Sequence, residues 1–104
     1  MNVTDIRIRR TYEDGKLKAL VSVTIDQDLA VHDIKVIEGS ERLFVAMPSR
    51  KDDNGVFRDI VHPITMEGRK TLEGLILEEY HKYLSQQEVY SENAEKSRWQ
   101  NLKR

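Results

Sequence analysis

The side chains best suited to acid–base or metal chemistry near neutral pH are three histidines, His32, His62 and His81. His32 precedes Asp33 inside a predicted strand, where successive side chains point to opposite faces, so we do not expect the two to form a catalytic pair. A metal site needs about three converging ligands, and only His32, Asp59 and His62 come from segments predicted to be neighbouring strands. We therefore expect each histidine to make a structural hydrogen bond, and we expect no metal site.

Other kinds of catalytic chemistry lack their usual sequence signals. The chain has no cysteine, which excludes disulfides, thiolate metal ligands and a cysteine nucleophile. Its five glycines form no phosphate-binding loop, and no serine lies in the glycine-flanked turn that exposes a hydrolase nucleophile. The sequence predicts a protein that is not an enzyme and that needs no cofactor.

Basic side chains give a stronger indication of function. Three of them, Arg50, Lys51 and Arg58, lie in or next to a polar segment in the middle of the chain. Two more, Arg69 and Lys70, fall in the first turns of a predicted helix, where positive charge opposes the helix dipole at a cost of about 0.3–1 kcal/mol. Such a local violation favours a functional use. Because lysine and arginine neutralise phosphates, these five residues are candidates for contacting a polyanion.

Further basic residues offer secondary contacts. Arg7 and Arg9 alternate with two isoleucines on the first predicted strand and so share its polar face. Four more basic residues lie near the C-terminal end of the sequence: Lys96, Arg98, Lys103 and Arg104. The competing interpretation is that scattered lysines and arginines form an ordinary solvated surface.

Composition limits what these residues can do. The 104 residues are enough for one domain. The 17 basic and 18 acidic side chains give a net charge of −1, which excludes a histone-like protein and requires any polyanion to bind a local patch. With only 38% hydrophobic residues the core is lean, which favours self-association. The N-terminal segment does not resemble a signal peptide, and we expect no membrane span.

The first two thirds of the chain predict an antiparallel sheet. Short apolar or alternating segments are separated by turn signals such as Asp14-Gly15 and Asn54-Gly55. We expect five consecutive strands, with a polar loop over 49–55 and a fourth strand apolar enough to be covered on both faces. The predicted strands are 3–10, 17–25, 29–37, 43–47 and 56–61.

The last third predicts helix. Thr65 is a plausible N-cap, and an apolar stripe at helical spacing follows it. The stripe consists of Leu72, Leu75, Ile76, Tyr80, Tyr83 and Leu84. Leu77 falls off this stripe and suggests contact with a partner subunit. The fold class is therefore α+β, with a domain over 1–84 (sheet 2–64, helix 65–84). A charged extension over 85–104 is expected as a second helix or a frayed helical tail, anchored by Trp99 and Leu102.

Four stretches resemble the bacterial SpoVG family. They read VTDIRIR at 3–9, VHDIKVI at 31–37, LFVAMPSRK at 43–51 and FRDIVHPI at 57–64. The resemblance runs from residue 2 to about 84, in the same order and spacing. It implies a small, cytoplasmic, dimeric protein that binds DNA, and in some members RNA, and that affects septation, sporulation or gene expression. The residues carried over are the Arg50-Lys51 pair, Arg58, and the helix-start residues Arg69 and Lys70.

The sequence departs from the family pattern in two places. The loop after Lys51 carries Asp52 and Asp53, which lower its expected affinity for phosphate, and the chain ends in basic rather than acidic residues. The leading hypothesis is a dimeric nucleic-acid-binding regulator, with the third or fourth strand and Leu77 as the dimer seam. The alternative is a protein-interaction module that regulates septation and binds nucleic acid only weakly.

Overall fold

The structure is a computed structural model that describes the fold of residues 1–103 and the side chains of residues 1–86. Four strands form one antiparallel sheet in the order β1-β2-β3-β4, two short strands form a separate hairpin, and a single helix follows. The elements are β1 (Val3–Thr11), β2 (Leu17–Ile25), β3 (Leu29–Glu38), β4 (Leu43–Ala46), β5 (Ser49–Lys51), β6 (Phe57–Asp59) and α1 (Met66–Lys103). The predicted α+β class and the meander of the first four strands are confirmed.

The prediction of one five-stranded sheet is wrong. The segment expected as a fifth strand is shorter and pairs instead with β5, which lies inside the predicted polar loop. Pro48 ends β4 because it has no N–H for a sheet ladder, and Gly55 adopts a φ of +80°, which allows a tight turn. The chain therefore folds back on itself locally. One backbone hydrogen bond, from Ile60 N to Pro48 O at 2.8 Å, continues the pairing past the hairpin.

The expectation that the fourth strand is covered on both faces is also wrong. β4 is an edge strand of the four-stranded sheet. Its Val45 is buried, whereas Phe44, on the opposite face, is 36% exposed. The reason is that α1, over the residues with described side chains, packs on one face of the sheet, and an apolar run by itself does not show how many faces are covered.

The core lies between α1 and that one face. Eight of its buried side chains come from the first 47 residues: Ala19, Val21, Val23, Val31, Ile34, Val36, Val45 and Met47. Leu72, Ile76 and Tyr80 cover them from the helix, at a spacing of four residues that keeps them on one side. Leu75, predicted on this stripe, is 37% exposed, while Leu77, predicted off it, packs against the core. The buried face of the helix is therefore rotated from the predicted one.

This packing reduces the number of elements that can form the predicted dimer interface. Since Leu77 is partly buried within the chain's own core, it does not form the free surface that the sequence suggested. β3 lies between β2 and β4, so of the two strands predicted for the seam only β4 has an open edge. Dimerisation itself stays a prediction.

The helix begins where the sequence indicated. Thr65 Oγ1 accepts a hydrogen bond from Gly68 N at 3.0 Å, which confirms Thr65 as the N-cap. The helix continues to Lys103 without a break, where a second helix or a frayed tail was expected. The predicted anchors, Trp99 and Leu102, lie outside the residues with described side chains. Within the described part of the chain, no helix is both long and apolar enough to cross a membrane.

Candidate nucleic-acid interface

The β5–β6 hairpin brings three of the five candidate residues together. Arg50 lies directly opposite Arg58, and Lys51 lies opposite Phe57. All four are exposed, and Lys51 Nζ lies 5.6 Å from the centre of the Phe57 ring, a distance that allows a cation–π contact. Like charges directly opposite each other destabilise a strand pair. The hairpin therefore places two arginines at opposed positions of the strand pair, where a nearby anion is stabilising.

Asp52 organises this hairpin. Its Oδ1 accepts hydrogen bonds from the backbone N–H groups of Asn54 and Val56, both at 2.9 Å, and its Oδ2 accepts one from Arg58 Nε at 2.7 Å. The Arg58 guanidinium and these backbone donors hold the pKa of the Asp52 carboxyl below its usual range, against a smaller opposing effect of desolvation. Asp52, which was expected to lower the affinity of the loop for phosphate, thus also shapes the turn and positions Arg58.

The electrostatic balance of the hairpin is close to neutral. Its three basic residues are matched in number by Asp52, Asp53 and Asp59. Because successive side chains of a strand alternate, Arg50 and Arg58 share one face of the ribbon while Lys51 and Phe57 share the other. A two-stranded ribbon of this kind is narrow enough to enter the major groove of DNA.

The other two candidate residues lie on a different element. Arg69 and Lys70 are exposed on the first turns of α1, and no described hydrogen bond or ion pair joins them to the hairpin. Arg69 borders a small crevice between β4 and the helix, together with Val45 and Met47. The secondary candidates Lys96, Arg98, Lys103 and Arg104 lie outside the residues with described side chains.

A second basic surface lies on the sheet, where Arg7 and Arg9 were predicted as secondary contacts. Arg7 pairs with Asp5 at 3.0 Å, and Arg9 Nε donates a hydrogen bond to Ser22 Oγ at 3.2 Å. Ser22 Oγ lies 2.8 Å from His32 Nδ1. Because arginine can only donate, Ser22 Oγ accepts from Arg9, and its own hydroxyl proton is free to be donated to His32 Nδ1. A neutral imidazole that accepts at Nδ1 carries its N–H on Nε2, on the side of the ring away from Ser22.

Sequence reasoning missed that Arg10, His32 and Lys35 belong to this second surface. Regular alternation places Arg10 with Ile8, but the register shifts by one residue between Ile8 and Arg10 and pairs Arg10 with Leu20. A second shift lies between Val21 and Val23, opposite His32 and Asp33, and Asp33 has a φ of 62°. The alternation that predicted opposite faces for His32 and Asp33 is therefore broken there. No sequence signal marks either bulge.

The remaining histidine predictions concern structural hydrogen bonds. His62 Nδ1 donates to Pro63 O at 3.1 Å, and His32 bonds to Ser22, so both make the kind of contact expected. The ring of His81 lies against Tyr80, with centroids 5.6 Å apart. Among the residues whose side chains the structure describes, no group of three or more histidine, aspartate or glutamate side chains is placed to hold a metal ion.

Comparison with known proteins identifies relatives along most of the chain. A family model described as SpoVG matches residues 1–82. A protein of a Thermoanaerobacter species, named as septation protein SpoVG, is 52% identical over 92 residues, which cover 88% of this chain and 100% of that protein. A Clostridioides difficile protein of the same name is 54% identical over the same shares. An Agathobacter rectalis protein of that name is 56% identical over 80 residues, 77% of this chain and 92% of the relative.

Proposed function

The chain belongs to the SpoVG family, and from that membership together with the basic hairpin we propose that it is a dimeric nucleic-acid-binding regulator that acts in septation or gene expression. The observation that carries the proposal is the opposed Arg50–Arg58 pair, with Lys51 on the reverse face of the same ribbon. The names of its relatives supply the connection to septation.

The proposed mechanism is electrostatic docking of the ribbon into a DNA groove. Arg50 and Arg58 contact phosphates or a guanine edge from one face of the ribbon, and each neutralised phosphate releases counterions. Asp52 holds Arg58 Nε, so the remaining guanidinium N–H groups of Arg58 are presented in a defined direction. Arg69 and Lys70 add contacts from the start of the helix.

A two-fold dimer doubles this small site and allows two half-sites to be contacted. The open edge of β4 supports such pairing, because an unpaired strand edge can add a strand from a second copy. Exposed apolar side chains near the start of the helix support association as well: Ile64 is 91% and Met66 is 75% exposed. The same surface favours the second candidate function, a protein-interaction module, because it would equally suit a partner protein.

Measuring DNA affinity at a series of salt concentrations distinguishes the nucleic-acid-binding regulator from the protein-interaction module. We expect duplex DNA to bind with a log–log salt slope of about −4 per subunit, or about −7 for a dimer, if about four phosphates are contacted per subunit. The double variant Arg50→Glu/Lys51→Glu should flatten the slope and weaken binding, whereas Lys82→Glu, on the exposed side of the helix, should not. Wild-type binding that is weak and independent of salt would favour the protein-interaction module.

The oligomeric state needs its own measurement. Sedimentation equilibrium over a range of concentrations should give the mass of two chains for the wild type and for both charge variants. A mass of one chain at every concentration would contradict the dimer, and nucleic acid would then contact only one hairpin per protein molecule.

A further inference from the structure

The sheet surface turned away from α1, here called the open face, carries side chains in regular rows. One row crosses all four strands through Arg10, Leu20, Lys35 and Ala46. A parallel row runs through Leu17, Ile37 and Phe44. In the described part of the chain the helix covers only the other face, so these side chains remain half-buried or exposed.

The two bulges concentrate basic groups on the open face. In a regular strand Arg9 and Arg10 would point to opposite faces. The bulge in β1 instead pairs Arg10 with Leu20 while the Arg9 side chain bonds to Ser22, which places both arginines on the same side. The bulge in β3 brings His32 to the same serine. Bulges often lie where a strand redirects a functional side chain.

Positive charge exceeds negative charge on the open face. Arg9, Arg10 and Lys35 have no carboxylate within ion-pair distance in the described part of the chain. The acids nearby are Asp5, which pairs with Arg7 at 3.0 Å; Glu38, which pairs with Lys18 at 3.4 Å; and Asp33 in the bulge. The hairpin, in contrast, is electrically balanced, and the whole chain has a net charge of −1. The open face is therefore the better-charged surface for a polyanion.

Apolar surface lies on the same face, next to Lys35 and across the sheet from the two arginines. Phe44 is 36% exposed at the edge of the sheet, next to half-buried Ile37. Gly39 packs against the ring: a Cβ added at Gly39 would lie 3.2 Å from Phe44 Cδ1 and 2.8 Å from Arg42 O. Because Gly39 has no side chain, the Phe44 ring can pack against the backbone at the end of β3.

The ligand that fits this surface has to combine regularly spaced negative charge with flat apolar groups. A single-stranded polynucleotide does so, because its bases are free to stack on an aromatic ring while its phosphates contact arginine and lysine. A duplex presents phosphates but keeps its bases stacked inside. We propose that the open face binds single-stranded RNA or DNA, with phosphates on Arg9, Arg10 and Lys35 and a base on Phe44. This inference rests on the proposed nucleic-acid binding and adds a second surface with its own strand preference.

The test compares single-stranded RNA and DNA, longer than about 16 nucleotides, with the matching duplex DNA. We expect Phe44→Ala to weaken single-strand binding by about 5- to 150-fold and to leave duplex binding unchanged. Arg9→Ala/Arg10→Ala should make the single-strand salt slope shallower by about 1.4, since each phosphate contact contributes about 0.7. Leu29→Ala and Lys82→Ala are matched controls, because Leu29 is an exposed apolar residue of the same sheet and Lys82 lies on the helix.

Two further variants keep the result interpretable. Phe44→Leu retains apolar bulk without the ring, so a folded Phe44→Leu protein with weakened single-strand binding supports stacking even if Phe44→Ala is unstable. Arg50→Glu/Lys51→Glu should weaken duplex binding more than single-strand binding. Single-strand affinity that is unchanged in the Phe44 and arginine variants, or an equal loss for both strand forms, would overturn the open-face proposal while leaving the hairpin function standing. Failure of the wild type to bind any of the nucleic acids would instead refute the proposed function itself.

Discussion

The four-stranded sheet and the β5–β6 hairpin are both antiparallel, but they are held together in opposite ways. The sheet buries side chains such as Val21, Ile34 and Val36 completely against the helix. Every residue of the two hairpin strands is exposed, and the hairpin depends on its turn and on the hydrogen bonds that the Asp52 carboxylate accepts from the Asn54 and Val56 N–H groups. The hairpin residues Arg50, Lys51 and Arg58 therefore lie in an element that contributes nothing to the hydrophobic core.

This separation has a physical reason. Arginine and lysine side chains that neutralise phosphates have to remain in water until a ligand arrives, since burying an unpaired charge is costly. An element made of such residues cannot supply its own hydrophobic core. It is stabilised instead by local hydrogen bonds and by its covalent attachment to a sheet that has a core.

The largest expected difference is in the stability lost when an isoleucine is replaced by alanine, once in the sheet and once next to the hairpin. Ile34→Ala removes a side chain with no exposed surface and should lower the free energy of unfolding by about 2–5 kcal/mol. Ile60→Ala removes the same side chain next to the hairpin, where it is 67% exposed, and should change that free energy by no more than about 0.5 kcal/mol. Urea unfolding followed by circular dichroism measures both. Equal losses would mean that the hairpin side is packed against something, such as a second copy.

The next effect concerns the start of the helix that covers the sheet, a few residues after the hairpin. Thr65→Ala removes the acceptor for Gly68 N and should destabilise the protein by about 1 kcal/mol, because one N–H at the start of the helix loses its partner. Thr65→Ser retains the hydroxyl and is the matched control, with an expected loss well below that of the alanine variant. If serine and alanine prove equally destabilising, the methyl group rather than the cap is what matters at this position.

A smaller and local effect is expected from Asp52→Ala. Without its carboxylate the Asn54 and Val56 amides and Arg58 lose their acceptor, so the hairpin should open while the sheet stays intact. Amide hydrogen exchange should become faster at Asn54 and Val56 and stay slow at Val21 and Val36. Loss of protection in the sheet as well would show that the hairpin and the sheet unfold together.

The smallest effect is a dependence on pH. The pKa of Asp52 is lowered in the folded state by its bonds to Arg58 and to backbone N–H groups. The stability it contributes is therefore fully present above the usual aspartate value of about 3.9 and is lost as pH falls through the lower folded-state value. Titration by NMR should place the Asp52 midpoint below the usual aspartate value of about 3.9. A midpoint at or above that value would contradict the network.

Much of the fold could be predicted from local signals. Strict alternation over 17–25 predicted β2, the Asp14-Gly15 turn predicted its hairpin with β1, and Thr65 predicted the start of the helix. The basic residues Arg50, Lys51 and Arg58 were named from their charge and from the family resemblance, and the hairpin brings them together. These features follow from interactions between residues that are close in sequence, which is why periodicity and turn chemistry report them.

Other features could not be predicted because they depend on contacts between distant residues. Whether 56–61 joins the sheet or pairs with 49–51 is a competition between partners that each have a suitable pattern. The burial of Leu77 in place of Leu75 depends on the angle at which the helix meets the sheet. The dual role of Asp52, as both a neighbouring negative charge and the residue that positions Arg58, appears only once the hairpin is closed.

The α+β class, the order of the first four strands, the helix start, the family and the choice of candidate binding residues all follow from the amino-acid sequence. Tertiary packing sets which sheet face the helix covers and which basic residues share the open face. The reason is that alternation specifies two faces without saying which is covered. The bulges beside Arg9 and His32 change the face of individual residues in a way that only pairing between strands reveals.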